Sequence, residues 1–192
     1  MAWYVAPGIE RSELSDPLTY DHKLLVFERS VLGWQLEIAD ALINGHGAAQ
    51  PIAGSGYAAL SILASYHEMI WQATHGEKSK GKSKEAFRHG MGYIFPTVQP
   101  EQASWREALD LIYDEVRCGL YHDGKARREV VLSGDFRNPI EVHHDSPKIW
   151  INPHLLPGEF TRHFRQFLIR LRTSGADSEH GQQFTRFFDE SW

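Results

Sequence analysis

Trp105-Arg-Glu-Ala-Leu-Asp-Leu-Ile-Tyr-Asp-Glu-Val-Arg-Cys-Gly-Leu-Tyr-His-Asp-Gly124 carries the clearest periodicity in the chain. Trp105, Ala108, Leu109, Ile112, Val116 and Leu120 recur at three- and four-residue steps. That spacing lines one face of a helix running from about Glu101 to a stop at Asp123 and Gly124. Upstream, Leu24, Leu25, Val31, Leu32, Leu36, Ile38, Ala39 and Leu42 form a similar stripe between Thr19 and Asn44, closed by Gly45. A glycine-rich loop, 45–56, leads through Ser55 as N-cap into a helix from Tyr57 to His75 that turns Leu60, Leu63, Tyr66, Ile70 and Ala73 inward. The polar segment Glu77 to Lys84 has too few apolar groups to pack and reads as a mobile loop. A short helix, Glu85 to Tyr93, follows it, weakened by Gly90 and Gly92.

Beyond Gly124 the period changes. Glu129-Val-Val-Leu-Ser, Ile140-Glu-Val-His and Lys148-Ile-Trp-Ile are short, β-branched and separated by turn residues, and so predict a small antiparallel sheet. Helix returns from Gly158 to Thr173, with Phe160, Phe164, Phe167, Leu168 and Leu171 on its apolar face. Phe184, Phe187, Phe188 and Trp192 have the spacing of a last helical turn or two docking on something apolar. The expected fold is therefore mainly α, a helical bundle with a small antiparallel β insertion before the last long helix. At 192 residues it is expected to be one domain over 1–192, with its core at about 19–173 and an aromatic tail at 174–192.

Charge narrows the functions open to such a bundle. The net charge is −5, and residues 1–76 hold 8 acidic and 3 basic side chains while residues 77–192 hold 17 of each. An acidic total excludes coating of nucleic acid by bulk attraction, so a nucleic-acid role needs a local basic site. The single Cys118 forms no internal disulfide, and the opening Met-Ala-Trp-Tyr-Val lacks the basic start and apolar run of a signal peptide. A cytoplasmic location is expected. No stretch approaches the roughly 20 apolar residues of a membrane helix, so no membrane contact is expected.

Arg117 and His122 stand five residues apart at the end of the strongest helix. A histidine moves protons near neutral pH, and a guanidinium holds the negative charge that grows on a phosphate under attack. RNA supplies its own nucleophile, the 2′-hydroxyl, so such a pair suits phosphodiester cleavage without a metal. On an α-helix five residues turn through roughly 500°, which leaves the two side chains roughly 140° apart. They meet one phosphate only if the helix loosens near Gly119 or a second chain completes the site, which argues for a homodimer. The structural alternative pairs Arg117 with Asp114 on a solvated face and uses His122 to cap the helix C-terminus.

The segment Val116-Arg-Cys-Gly-Leu-Tyr-His-Asp-Gly124, at the end of a long helix in a helical bundle, resembles the Arg-x4-6-His motif of the HEPN superfamily. With the following short strands, Ile151-Asn-Pro153 and the closing aromatic helix, it is similar to a plasmid- and phage-type branch of that superfamily. The resemblance covers roughly residues 19–173. It implies a helical bundle that dimerises and a metal-independent endoribonuclease of toxin-antitoxin or other defence systems, with Arg117 and His122 as the catalytic pair, no cofactor and an antitoxin protein as a partner. Lys125, Arg127, Arg128 and Tyr121 would contact the RNA beside that pair. Cys118 stands where many active members carry Asn or Asp, which favours the alternative of a non-catalytic module binding nucleic acid or protein. Gly124 stands where members silenced by adenylylation carry tyrosine, so that mode of regulation is not implied.

Other candidates carry less. Cys118 and His122 have i, i+4 spacing but no third orienting group, and a buried structural cysteine accounts for the thiol. His143, His144, Asp145 and His154 lack paired metal-ligand spacing, so no metal site is expected. Gly54-Ser-Gly-Tyr-Ala-Ala fits Gly-x-Gly-x-x-Ala without the preceding strand that a dinucleotide site requires. Further basic runs at Lys78 to Arg88 and at Arg162, Arg165 and Arg172 read as solvated faces. A third reading makes the chain a structural interaction protein that dimerises through an exposed Phe184 to Trp192 tail.

Overall fold

The computed structural model of the chain describes residues 3–99, 101–123, 129–142 and 148–192, with every side chain among them except those of Ser104, Tyr121 and Val142. The architecture is mainly helical, as the stripes require. It opens with a hairpin the sequence reading did not foresee, β1 (Tyr4–Ala6) against β2 (Ile9–Glu10). The first stripe then forms α1 (Tyr20–Val31) and α2 (Glu37–Asn44), joined through a π-helical segment, Leu32–Leu36. Thr19 starts α1 by accepting a hydrogen bond from the His22 amide.

The second stripe is divided at Ser65 into α3 (Gly56–Ala64) and α4 (Tyr66–His75). Ser55 does not cap α3 with its side chain. Its hydroxyl donates to the Leu42 carbonyl at 2.7 Å, which ties the glycine-rich loop to α2. Next, α5 (Ser83–Ile94) packs along α4 so closely that a Cβ on Gly90 would lie 2.6 Å from the His67 carbonyl oxygen. That approach explains a glycine inside a helix, where propensity alone disfavours it.

The decisive stripe forms α6 (Ala103–Ile112), which runs on as a π-helical segment, Tyr113–Asp123. Strands β3 (Val130–Leu132), β4 (Ile140–Val142) and β5 (Ile149–Ile151) pair in the order β3-β5-β4. The expected antiparallel insertion is a mixed sheet: β4 is antiparallel to β5, but β3 is parallel to it. Two successive chain reversals bring β5 back in the direction of β3. Insertion of β5 between the earlier strands then makes one of its two pairings parallel.

Last come α7 (Leu156–Ser174) and α8 (Glu179–Ser191). The aromatic residues at 184–192 do dock on an apolar surface, and that surface is the chain's own. Phe184 is fully buried, and the Phe27 ring of α1 lies 5.3 Å from both Phe164 and Phe184. Phe187 and Phe188 are buried as well, so these rings belong to the core, and of the apolar residues weighed as an exposed dimer contact Trp192 alone is exposed. A single cluster of buried side chains runs from Ala6 to Phe188 and takes in the sheet through Val130, Ile149 and Ile151. Among the described residues no helix is long and apolar enough to cross a membrane.

Candidate functional site

Arg117 and His122 both lie in the π-helical segment, and that changes their relation. Hydrogen bonds from i to i+5 widen each turn to roughly 4.4 residues, so positions five apart come to within roughly 50° around the axis. On that period Arg117 and His122, on opposite flanks of an α-helix, fall on a common side; Arg117 is largely buried against Glu68, and His122 is exposed. The geometric need for a second chain falls away with the α-helical period. Residues 124–128 lie outside the described residues, and with them Lys125, Arg127 and Arg128; the Tyr121 side chain is outside them too.

Arg117 does not pair with Asp114. Its Nε donates to Oε1 of Glu68 on α4 at 3.0 Å, and a terminal nitrogen lies 2.8 Å from the same oxygen. Glu68 is 13% exposed and Arg117 22%, so the pair is largely withdrawn from water. Burial works against the arginine's charge, but Glu68 and Tyr113 outweigh it, and the pKa moves up. The guanidinium also lies 5.5 Å from the centre of the Tyr113 ring.

Two residues of the lysine-bearing segment converge on this cluster. Ser79 is buried, and its hydroxyl donates to Oε2 of Glu68 at 3.1 Å while accepting from Gln72 Nε2 at 3.2 Å. One carboxylate therefore holds both Arg117 and the segment from Glu77 to Lys84, which is anchored where composition suggested a loose loop. Lys84 takes Asp114 as its partner at 2.9 Å and lies 5.5 Å over the same Tyr113 ring. The hydrogen bond to Asp114 raises the lysine's pKa against the cost of its partial burial. Arg88 faces Asp110 at 3.5 Å and Lys82 faces Glu77 at 3.1 Å. The face is thus a set of ion pairs between α4, α5, α6 and the π-helical segment.

Cys118 is half-buried rather than buried, and it adds to the effect of burial in raising the Tyr113 pKa. Behind Glu68, His67 is packed between Phe87 and Phe160, and burial pushes its pKa down to about 3. His163 on α7 lies 2.9 Å from the Tyr66 hydroxyl, and burial with the charges of Arg170 and Arg162 pushes it down to about 4. Both are neutral core histidines. Of the other sequence candidates, His143, His144 and Asp145 fall outside the described residues, and His154 bonds Asn44 at 2.9 Å. Among the described residues no three His, Cys, Asp or Glu side chains group as metal ligands would. On α7, Arg162 pairs with Glu159 and Arg172 with Glu28.

Glu68, Ser79 and Tyr113 escaped the sequence reading. Tyr113 lies four residues before Arg117 and was open to inference as a stacking partner, but nothing in one sequence links Glu68 to a residue 49 positions away. Comparison with protein-family models, curated proteins and solved structures found no match to this chain.

Proposed function

We propose that the chain is a HEPN-type RNA-binding protein that cleaves RNA without a metal, as a toxin or defence ribonuclease. The observation that carries this reading is the π-helical segment, whose i to i+5 period turns Arg117 and His122 to one side. In this reading the RNA 2′-hydroxyl attacks the adjacent phosphorus and the 5′-oxygen leaves. His122 acts as general acid or base, and Arg117, its plane fixed by Glu68 and Tyr113, faces the charge that develops on the phosphoryl oxygens. Lys125, Arg127, Arg128 and Tyr121 hold the backbone near it. The homodimer, the antitoxin partner and the cytoplasmic location come with the resemblance and the sequence, and are part of the proposal.

His122→Ala and Arg117→Lys test it, the lysine keeping a cation opposite Glu68 so that loss of chemistry is not loss of fold. Both variants are expected to fold and to lose RNA cleavage by about 10²-fold or more, with chelator without effect. Full cleavage by either removes the assignment.

The clamp on Arg117 also favours a second reading, a non-catalytic HEPN module. A guanidinium already neutralised by a carboxylate offers less to a phosphate, and Cys118 replaces the polar neighbour of active members. Salt-dependent binding that leaves RNA intact across pH 6 to 8 selects this reading.

A further inference from the structure

The glycine-rich loop that failed as a dinucleotide motif forms one wall of a hollow with a volume of about 660 Å³. Small-molecule sites commonly span about 300–1,000 Å³. The opposite wall is the end of β3 and the turn after β5. Ile43, Ile52, Leu132 and Pro153 supply apolar surface, and Tyr57 an aromatic ring. Ile52 and Tyr57 are among the exposed large hydrophobic side chains of the chain, at 59% and 39%. No described residue lining the hollow is Lys, Arg, Asp or Glu.

Both walls are fixed before any ligand arrives. The Ile52 amide and the Ser55 hydroxyl both donate to the Leu42 carbonyl, which locks the loop on α2. On the other side the buried Asn152 donates to the carbonyls of Gly134 and Phe136 and accepts from the His154 amide. Glycines keep the interior clear. A Cβ on Gly134 would lie 3.1 Å from the His154 ring, one on Gly56 would lie 3.3 Å from Leu132, and Gly54 faces open space. Glycine is the residue that lets backbone approach a ligand closely.

One polar group has its role set by its partner. The Asn44 amide nitrogen donates to Asp40 at 2.8 Å and to the His154 carbonyl at 3.2 Å. Its oxygen therefore faces His154 Nδ1, 2.9 Å away, and must accept from it. Nδ1 carries the hydrogen, and Nε2 at the wall of the hollow is an acceptor.

We propose that this hollow binds a planar, uncharged nitrogen heterocycle of nucleobase size, which lays its faces against Tyr57, Ile52 and Pro153 and donates an N–H to His154 Nε2. The absence of charged lining among the described residues favours a neutral ring over a phosphate or carboxylate. The ring comes either as a free nucleoside or as a base of an RNA strand, and the test separates the two. The site does not depend on Arg117 or His122, so it stands apart from the ribonuclease reading.

Adenosine is titrated into the 192-residue chain and followed by amide NMR, with purine riboside, which lacks the amino group, in parallel. Saturable shifts confined to residues 51–57 and 132–154 are expected, with purine riboside about five- to tenfold weaker, the worth of one hydrogen bond. His154→Phe keeps a ring in place and should bind the two nucleosides equally. Gly134→Val should lower the affinity for both. An oligoadenylate that binds more tightly than adenosine through the same residues identifies an RNA base as the occupant, and equal affinity identifies a free nucleoside. No saturation by adenosine or oligoadenylate at millimolar concentration overturns the proposal. So does discrimination between the two nucleosides that survives in His154→Phe.

Discussion

Where α8 closes over α1 the bundle is held by rings, and where α5 and the π-helical segment meet α4 it is held by charges. Phe27 lies among Phe164, Phe184 and Phe187, with centroids 5.3 to 5.8 Å apart, and a single ion pair, Lys23–Asp189 at 2.6 Å, joins the same two helices among the described residues. On the second face, Glu68, Arg117, Asp114, Lys84, Asp110 and Arg88 are drawn together in ion pairs. Burying rings stabilises directly, whereas withdrawing charges from water costs most of what their attraction returns. The two faces therefore differ in how much their burial contributes to stability.

Four measurements sharpen or break that contrast. Phe27→Ala should cost about 3–5 kcal/mol in urea unfolding, because four aromatic neighbours lose their common partner. Glu68→Ala should cost about 2–3 kcal/mol by leaving a half-buried guanidinium without its carboxylate, less than the loss from a fully buried pair. Adding Arg117→Ala to it should recover part of that loss; strict additivity would show that the two residues do not interact.

The third measurement is pH. His67 and His163 are held neutral with values near 3 and 4, below the ordinary value of 6.5. Between about pH 6.5 and 4 the unfolded chain takes up protons that the folded chain refuses, so stability falls as the pH drops. The expected slope is about 1.4 kcal/mol per pH unit for each histidine. His67→Phe should remove one share of it, and an unchanged acid limb would show that the slope has another source. The smallest effect is expected from Lys84→Ala, about 0.5–1 kcal/mol and screened by salt, since the Lys84–Asp114 pair is half-exposed. A loss above 2 kcal/mol would mean that the ionic face carries the fold as the aromatic face does.

The rings were far more legible in the sequence than the charges. Apart from the exposed Ile38, apolar stripes at Leu24 to Leu42 and Phe160 to Leu171 map onto buried or half-buried positions because burial depends on which side of a helix a residue occupies. The widened turn left a fainter trace. Ile112, Val116 and Leu120 keep steps of four, which over-rotate an α-helix by roughly 40° each and suit a looser helix equally well. Gly90 read as a weak point because its reason, the His67 backbone, belongs to another helix. The direction of β3 against β5 and the choice of Glu68 by Arg117 are likewise decided between distant segments. Asp114, three residues from Arg117, was the local option, and the fold gave it to Lys84 on α5 instead.

Glu68 accepts from Ser79, 11 residues on, and from Arg117, 49 residues on. At a synthesis rate of roughly 5–20 residues per second, the serine follows the glutamate within seconds, and the arginine arrives several seconds later. The serine is therefore available to Glu68 before the arginine, and the ionic face is complete only once Arg117 has been made. A chain stalled between the two would lack the cation that Glu68 holds in the finished fold and all of the chemistry proposed for Arg117.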